Sequence, residues 1–121
     1  MLIQGIGLDI VEIERIENAL KRNKRFVTRI LTQNEQDIYE SLTSNKRKVE
    51  FLSGRFAAKE AVAKAIGSGI GKLSFQHIDV TRSESGAPAV TVKGREAEKF
   101  FLTITHTKGI AAAHAIHWGE Y

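Results

Sequence analysis

"VEFLSGRFAAKEAVAKAI", residues 49–66, is the stretch on which the fold turns. It holds no Pro and only Gly54 among the helix-weakening residues, so it predicts the longest helix of the chain. "GSGIG", residues 67–71, ends it, because glycine takes the positive φ of a helix stop at no steric cost. At about 100° per residue, Val62, Ile66 and Phe51 form an apolar stripe. Glu60 and Lys64 lie nearly opposite, on the side of Phe56. On pattern alone, an i,i+4 Glu–Lys pair is a surface salt bridge worth about 0.2–0.5 kcal/mol.

The alanines of Phe56–Ala65 call for a partner of equally small volume. "IAAAHAIHW", residues 110–118, supplies one. Read as a strand, it puts Ala111, Ala113 and Ala115 on one face and Ile110, Ala112, His114 and Ile116 on the other. Helix and strand are therefore expected to pack together, and a bulky residue between them to overpack.

The remaining elements follow from periodicity. "LIQGIGLDI", residues 2–10, reads as a buried strand ending at Asp9. A helix is expected from Ile10 to about Arg22, with Asp9 and Glu12 as its capping box. A short helix or turn is expected to carry Phe26, Val27, Ile30 and Leu31, and "TQNE", residues 32–35, opens another helix to about Leu42. A basic loop then leads into the long helix. "FQHIDVTR" and "PAVTV" form a hairpin around "SESGAP", "KGREAEKF" a short helical turn, and "FLTITHT" and "IAAAHAIHW" two final strands. Helices fill the first half and antiparallel strands the second. The expected class is α+β, with the N-terminal helices packed on an antiparallel sheet in one domain over residues 1–121.

Composition narrows the function classes. There is no cysteine, hence no disulfide framework and no thiolate nucleophile or ligand. No apolar run reaches the roughly 20 residues of a membrane span, and "MLIQGIGLDI" lacks a basic leader region, so a cytoplasmic place is expected. The net charge is +4, concentrated in "KRNKR" (21–25) and "NKRK" (45–48). Such runs are either a solvated face or a surface for an acidic partner. Nucleic acid is the weaker option, since no binding motif and no row of exposed aromatics accompanies the charge.

Taken singly, the candidate residues stay ambiguous. Asp9 is a helix cap or a metal ligand beside two glycines that let a ligand approach. "GSGIGK" contains Gly69 and Gly71, whose amides could meet a phosphate, but it runs out of a helix rather than into one. His106 shares a strand face with Leu102 and Ile104 and sits at the strand end.

Together, and in order, "GIGLDIVEIERI", "FLSGRFAAKEAVAKA", "SGAP" and "TITHT" resemble the holo-acyl-carrier-protein synthase family of phosphopantetheinyl transferases over essentially the whole chain. That family moves phosphopantetheine from coenzyme A to a serine of apo-acyl carrier protein, in support of fatty acid biosynthesis. The resemblance implies that Asp9 and Glu60 hold Mg²⁺, and that Lys64 stabilises the departing charge. Glu60 or a water beside the metal would be the base. Arg55, His106, Gly86, Pro88, Gly69 and Gly71 would contact coenzyme A. Arg15, Arg22, Arg25 and Arg29, with Phe26 as apolar anchor, would dock the acidic carrier protein. A homotrimer with sites between protomers is also implied. The alternative is a coenzyme A- or nucleotide-binding module without transfer activity. Two departures stand out: Ala87 where a basic residue is frequent, and Thr103 and Thr105 where serine is common.

Overall fold

The computed structural model describes residues 2–119; of the domain expected over 1–121, Met1, Glu120 and Tyr121 lie outside the described residues. The elements run β1 (Leu2–Glu12), α1 (Ile13–Arg22), α2 (Arg25–Ile30), α3 (Gln33–Ser41) and α4 (Asn45–Ile66). A 3₁₀ turn (Phe75–His77), β2 (Ile78–Arg82), β3 (Pro88–Val92), β4 (Lys99–His106) and β5 (Ile110–Gly119) follow. The α+β class stands, but the strands form two sheets. One is antiparallel in the order β1-β5-β4; the other is the expected β2-β3 hairpin.

The alanine prediction holds. Ala111, Ala113 and Ala115 are buried, as are Ala57, Ala58, Ala61, Ala63 and Ala65 of α4. The glycines of β1 extend the same close packing. A Cβ on Gly7 would stand 1.9 Å from the Ala61 carbonyl oxygen, and one on Gly5 would stand 2.0 Å from that of Ala65. Those glycines admit a helix backbone, not a ligand.

Three local expectations are corrected. Strand β1 continues to Glu12, because Ile10 and Val11 pair with Ala112 and Ala111 of β5. Asp9 is therefore not a cap, and the first residue before α1, Glu12, makes no side-chain cap bond. Helix α4 starts at Asn45, capped by Ser44 accepting from the Arg47 amide at 3.2 Å, so "NKRK" is its first turn and not a loop. Nor does α4 carry a single stripe. It is buried on nearly all sides, and even Lys59 is fully enclosed. The capping box at Thr32 and Glu35 and the left-handed stop at Gly67 form as expected.

Among the described residues, nothing covers the other face of the main sheet. Ile6, Leu8, Ile10 and Phe101 are each more than half exposed there, beside Ile110.

Candidate active site

Strand β1 and helix α4 bring Asp9, Glu60 and Lys64 to one place. Asp9 lies on the inward side of β1, the side it shares with Gly7 and Val11. Lys64 Nζ donates to the Leu8 carbonyl at 2.9 Å and to Asp9 Oδ1 at 3.2 Å. The ammonium thus bridges from helix to strand, and the expected Glu60–Lys64 pair is replaced by Lys64–Asp9.

Glu60 is left next to a second carboxylate. Its pKa is raised, first by burial and then by the negative charge of Asp9, with Lys64 opposing. A divalent cation would relieve that repulsion, and two hard carboxylate oxygens suit Mg²⁺. Among the described residues no three His, Cys, Asp or Glu side chains gather. Two carboxylates are nonetheless a common protein share of an Mg²⁺ shell when phosphates and water complete it. The residues therefore fit the ion.

Asp9 and Glu60 open onto a cleft of about 440 Å³ also lined by Arg15, Arg22, Phe26 and Phe56. Two of the four predicted docking arginines reach it; Arg25 and Arg29 are exposed on α2 outside its lining. Phe26 is half-buried rather than a free anchor. Its ring lies 6.2 Å from that of Phe56, which stacks on Phe75 at 5.3 Å.

Arg55, His106, Gly86 and Pro88 converge as expected, but elsewhere. They line a second cleft of about 370 Å³ with Glu50, Arg47 and Arg82. Arg55 is 6% exposed, its guanidinium lies 4.4 Å from the Phe51 ring centroid, and its Nε has no hydrogen-bond partner among the described residues. Burial pulls its pKa down, with the charge of Glu35 opposing, yet a guanidinium stays cationic. A cationic guanidinium in the wall of a cleft suits an anionic ligand. His106 is half exposed, with Nε2 3.7 Å from Glu50 Oε2, so it is not a packed core histidine. Arg47 and Arg82 went unrecognised in the sequence as members of this cleft. Only Arg47 had a signal, its place in "NKRK".

The two clefts do not merge. Arg55 and Glu60 are five residues apart on α4, about 140° around its axis. Gly69 and Gly71 line neither cleft; both take positive φ in the loop after α4.

A carboxylate on β1, a helix carrying a second carboxylate and a lysine, and an arginine-rich anion cleft together define the kind of site found in enzymes acting on phosphorylated substrates. Residues 5–117 match the model of the 4′-phosphopantetheinyl transferase superfamily, and the chain belongs to that family. It is 49% identical to the holo-(acyl-carrier-protein) synthase of Oceanobacillus iheyensis over 115 residues, covering 95% of this chain and 96% of that protein. To the Bacillus pumilus synthase it is 52% identical over 116 residues, with 95% of each chain covered. The crystal structure of the Bacillus anthracis synthase, in complex with CoA (3′,5′-ADP), superposes with a TM-score of 0.86 at 42% identity, covering 97% of both chains.

Proposed function

We propose that the chain is a holo-acyl-carrier-protein synthase, joining phosphopantetheine from coenzyme A to a serine of an apo-acyl carrier protein. The observation that carries this is the juxtaposition at the first cleft. Asp9 and Glu60 line it together with Arg15 and Arg22, and Lys64 is bonded to Asp9 at 3.2 Å. A charged reaction centre thus opens onto a basic surface suited to an acidic protein.

Mg²⁺, held by Asp9 and Glu60, would neutralise charge on the pyrophosphate of coenzyme A. Lys64, half exposed and already bonded to Asp9, lies within reach of the same phosphates and stabilises the leaving group. The serine Oγ attacks the phosphorus that bears pantetheine. A new Oγ–P bond forms, the bond to the bridging oxygen breaks, and 3′,5′-ADP leaves with the electron pair. Glu60, or a water beside the metal, takes the hydroxyl proton.

The second cleft would hold an anionic end of the same cofactor through Arg55, Arg47, Arg82 and His106, with Gly86 and Pro88 along its wall. Since the clefts lie on different sides of α4, one cofactor would use the first cleft of one copy and the second of its neighbour. A homotrimer joined through the uncovered sheet face fits that need. Ile6, Leu8, Ile10 and Phe101 are an unusual set to leave in water. A cytoplasmic place and a part in fatty acid biosynthesis accompany this reading through the family likeness.

The test is incubation with coenzyme A, Mg²⁺ and apo-carrier protein. A gain of one phosphopantetheine mass on the carrier is expected; binding of coenzyme A with no gain would leave only the non-catalytic module.

A further inference from the structure

Helix α2 has six residues, too few to persist alone. Its last amide bond runs from Leu31 N to Val27 O, so the carbonyls of Thr28, Arg29, Ile30 and Leu31 have no partner within the helix. All four are held from outside. Gln76 Nε2, on the 3₁₀ turn, donates to Thr28 O and Leu31 O at 2.7 Å each and lies 3.3 Å from Arg29 O, and Gln36 Nε2 of α3 shares Leu31 O at 2.8 Å. Lys59 Nζ, from α4, donates to Ile30 O at 2.7 Å.

Lys59 has no spare proton. Its other bonds go to Glu35 Oε1 at 2.6 Å and Phe75 O at 3.0 Å. Glu35, equally buried, accepts from the amides of Thr32 at 2.8 Å and Val80 at 2.6 Å. Burial lowers the Lys59 pKa and the Glu35 charge opposes it. One ion pair therefore ties the end of α2 to the residue that directly precedes Glu60.

We propose that Gln76 and Lys59 are positioning residues for carrier-protein docking. They clamp the end of α2 so that Arg25, Phe26 and Arg29 meet the carrier at a fixed distance from Glu60. This rests on the reading that α2 belongs to the docking surface. Neither residue touches the reacting atoms: Gln76 is exposed on the 3₁₀ turn, and Lys59 is enclosed behind α2. The ring row Phe26–Phe56–Phe75 holds the apolar side of α2, and the Gln76–Lys59 clamp sets its axial place.

The test is steady-state transfer with each substrate varied in turn. Gln76→Ala should raise KM for the carrier protein by about three- to tenfold, the worth of one to two lost hydrogen bonds. Gln76→Glu, similar in shape but with no donor, should raise it further. KM for coenzyme A should change less than twofold. Lys59→Met alone strands a buried carboxylate and endangers folding. The double variant Lys59→Met/Glu35→Met removes both charges and should fold with the same selective rise. A carrier KM unchanged in the Gln76 variants and the double variant, or rising equally with that for coenzyme A, would overturn the positioning role. Arg25→Glu separates the two claims. If it too leaves the carrier KM unchanged, α2 does not dock the carrier, and the proposal falls with that reading. If it raises that KM while Gln76→Glu does not, the positioning role alone is lost.

Discussion

Gly7→Ala tests whether the active site depends on backbone-to-backbone packing. The added Cβ would lie 1.9 Å from Ala61 O, 2.8 Å from Ala65 N and 2.9 Å from Ala61 C. Ordinary contact needs about 1.5 Å more than the shortest of these allows. All three atoms are backbone of α4, so no side chain can swing aside and strand and helix must part. Alanine restricts the unfolded chain and gains about 0.4–1 kcal/mol for that reason. The overpacking costs about 1–3 kcal/mol, so the clash wins and Tm falls. The separation also lifts Asp9 and Leu8 O away from Lys64, whose bonds of 3.2 and 2.9 Å cross that same seam. A displacement near 1 Å at a reacting centre costs about 100-fold in rate. Differential scanning calorimetry and carrier modification per folded molecule measure the two effects. Gly109→Ala is the control, since a Cβ there meets nothing within 4 Å, and it should keep Tm and activity. Wild-type turnover in folded Gly7→Ala would refute the claim that this packing sets the site.

Three further outcomes are expected. Glu60→Gln should fold and lose about 100-fold or more of the transfer rate. Since the Glu60 pKa is raised in the fold, its contribution to stability is present only when it is protonated and is lost as pH rises through that raised value. The metal-free variant should thus melt no lower than wild type at neutral pH, with the gap closing as pH falls into the ordinary carboxyl range; a lower Tm at neutral pH would contradict this. Arg15→Glu should raise KM for the carrier about two- to tenfold, less so at high salt, with KM for coenzyme A unmoved; equal effects on both would count against separate docking. Leu8→Glu, on the uncovered sheet face, should give monomers in sedimentation and abolish transfer, whereas mixing Glu60→Gln with Arg55→Ala should restore part of the activity if two chains share a site; active Leu8→Glu monomers would exclude the shared site.

What the sequence discloses depends on how far apart the deciding partners are. The alanine faces at 57–65 and 111–115 are regular patterns, and they sufficed to dock α4 on β5. The fate of Asp9 was not readable nearby. Whether it caps a helix or faces a cleft depends on where β1 ends, and that is set by pairing with Ala111 and Ala112, about a hundred residues away. Gly5 and Gly7 were visible as glycines, but only the carbonyls of Ala61 and Ala65 explain them. Lys59 belongs to the "AAKEA" pattern, yet its burial rests on Glu35, which no spacing connects to it. The division into two clefts could have been read, because five helical residues place Arg55 and Glu60 about 140° apart. A cofactor gripped by both cannot easily wrap α4 within one chain. On the proposed reading, the same helix would present opposite ends of the task to two neighbours, and those neighbours would meet on the apolar outer face of β1-β5-β4.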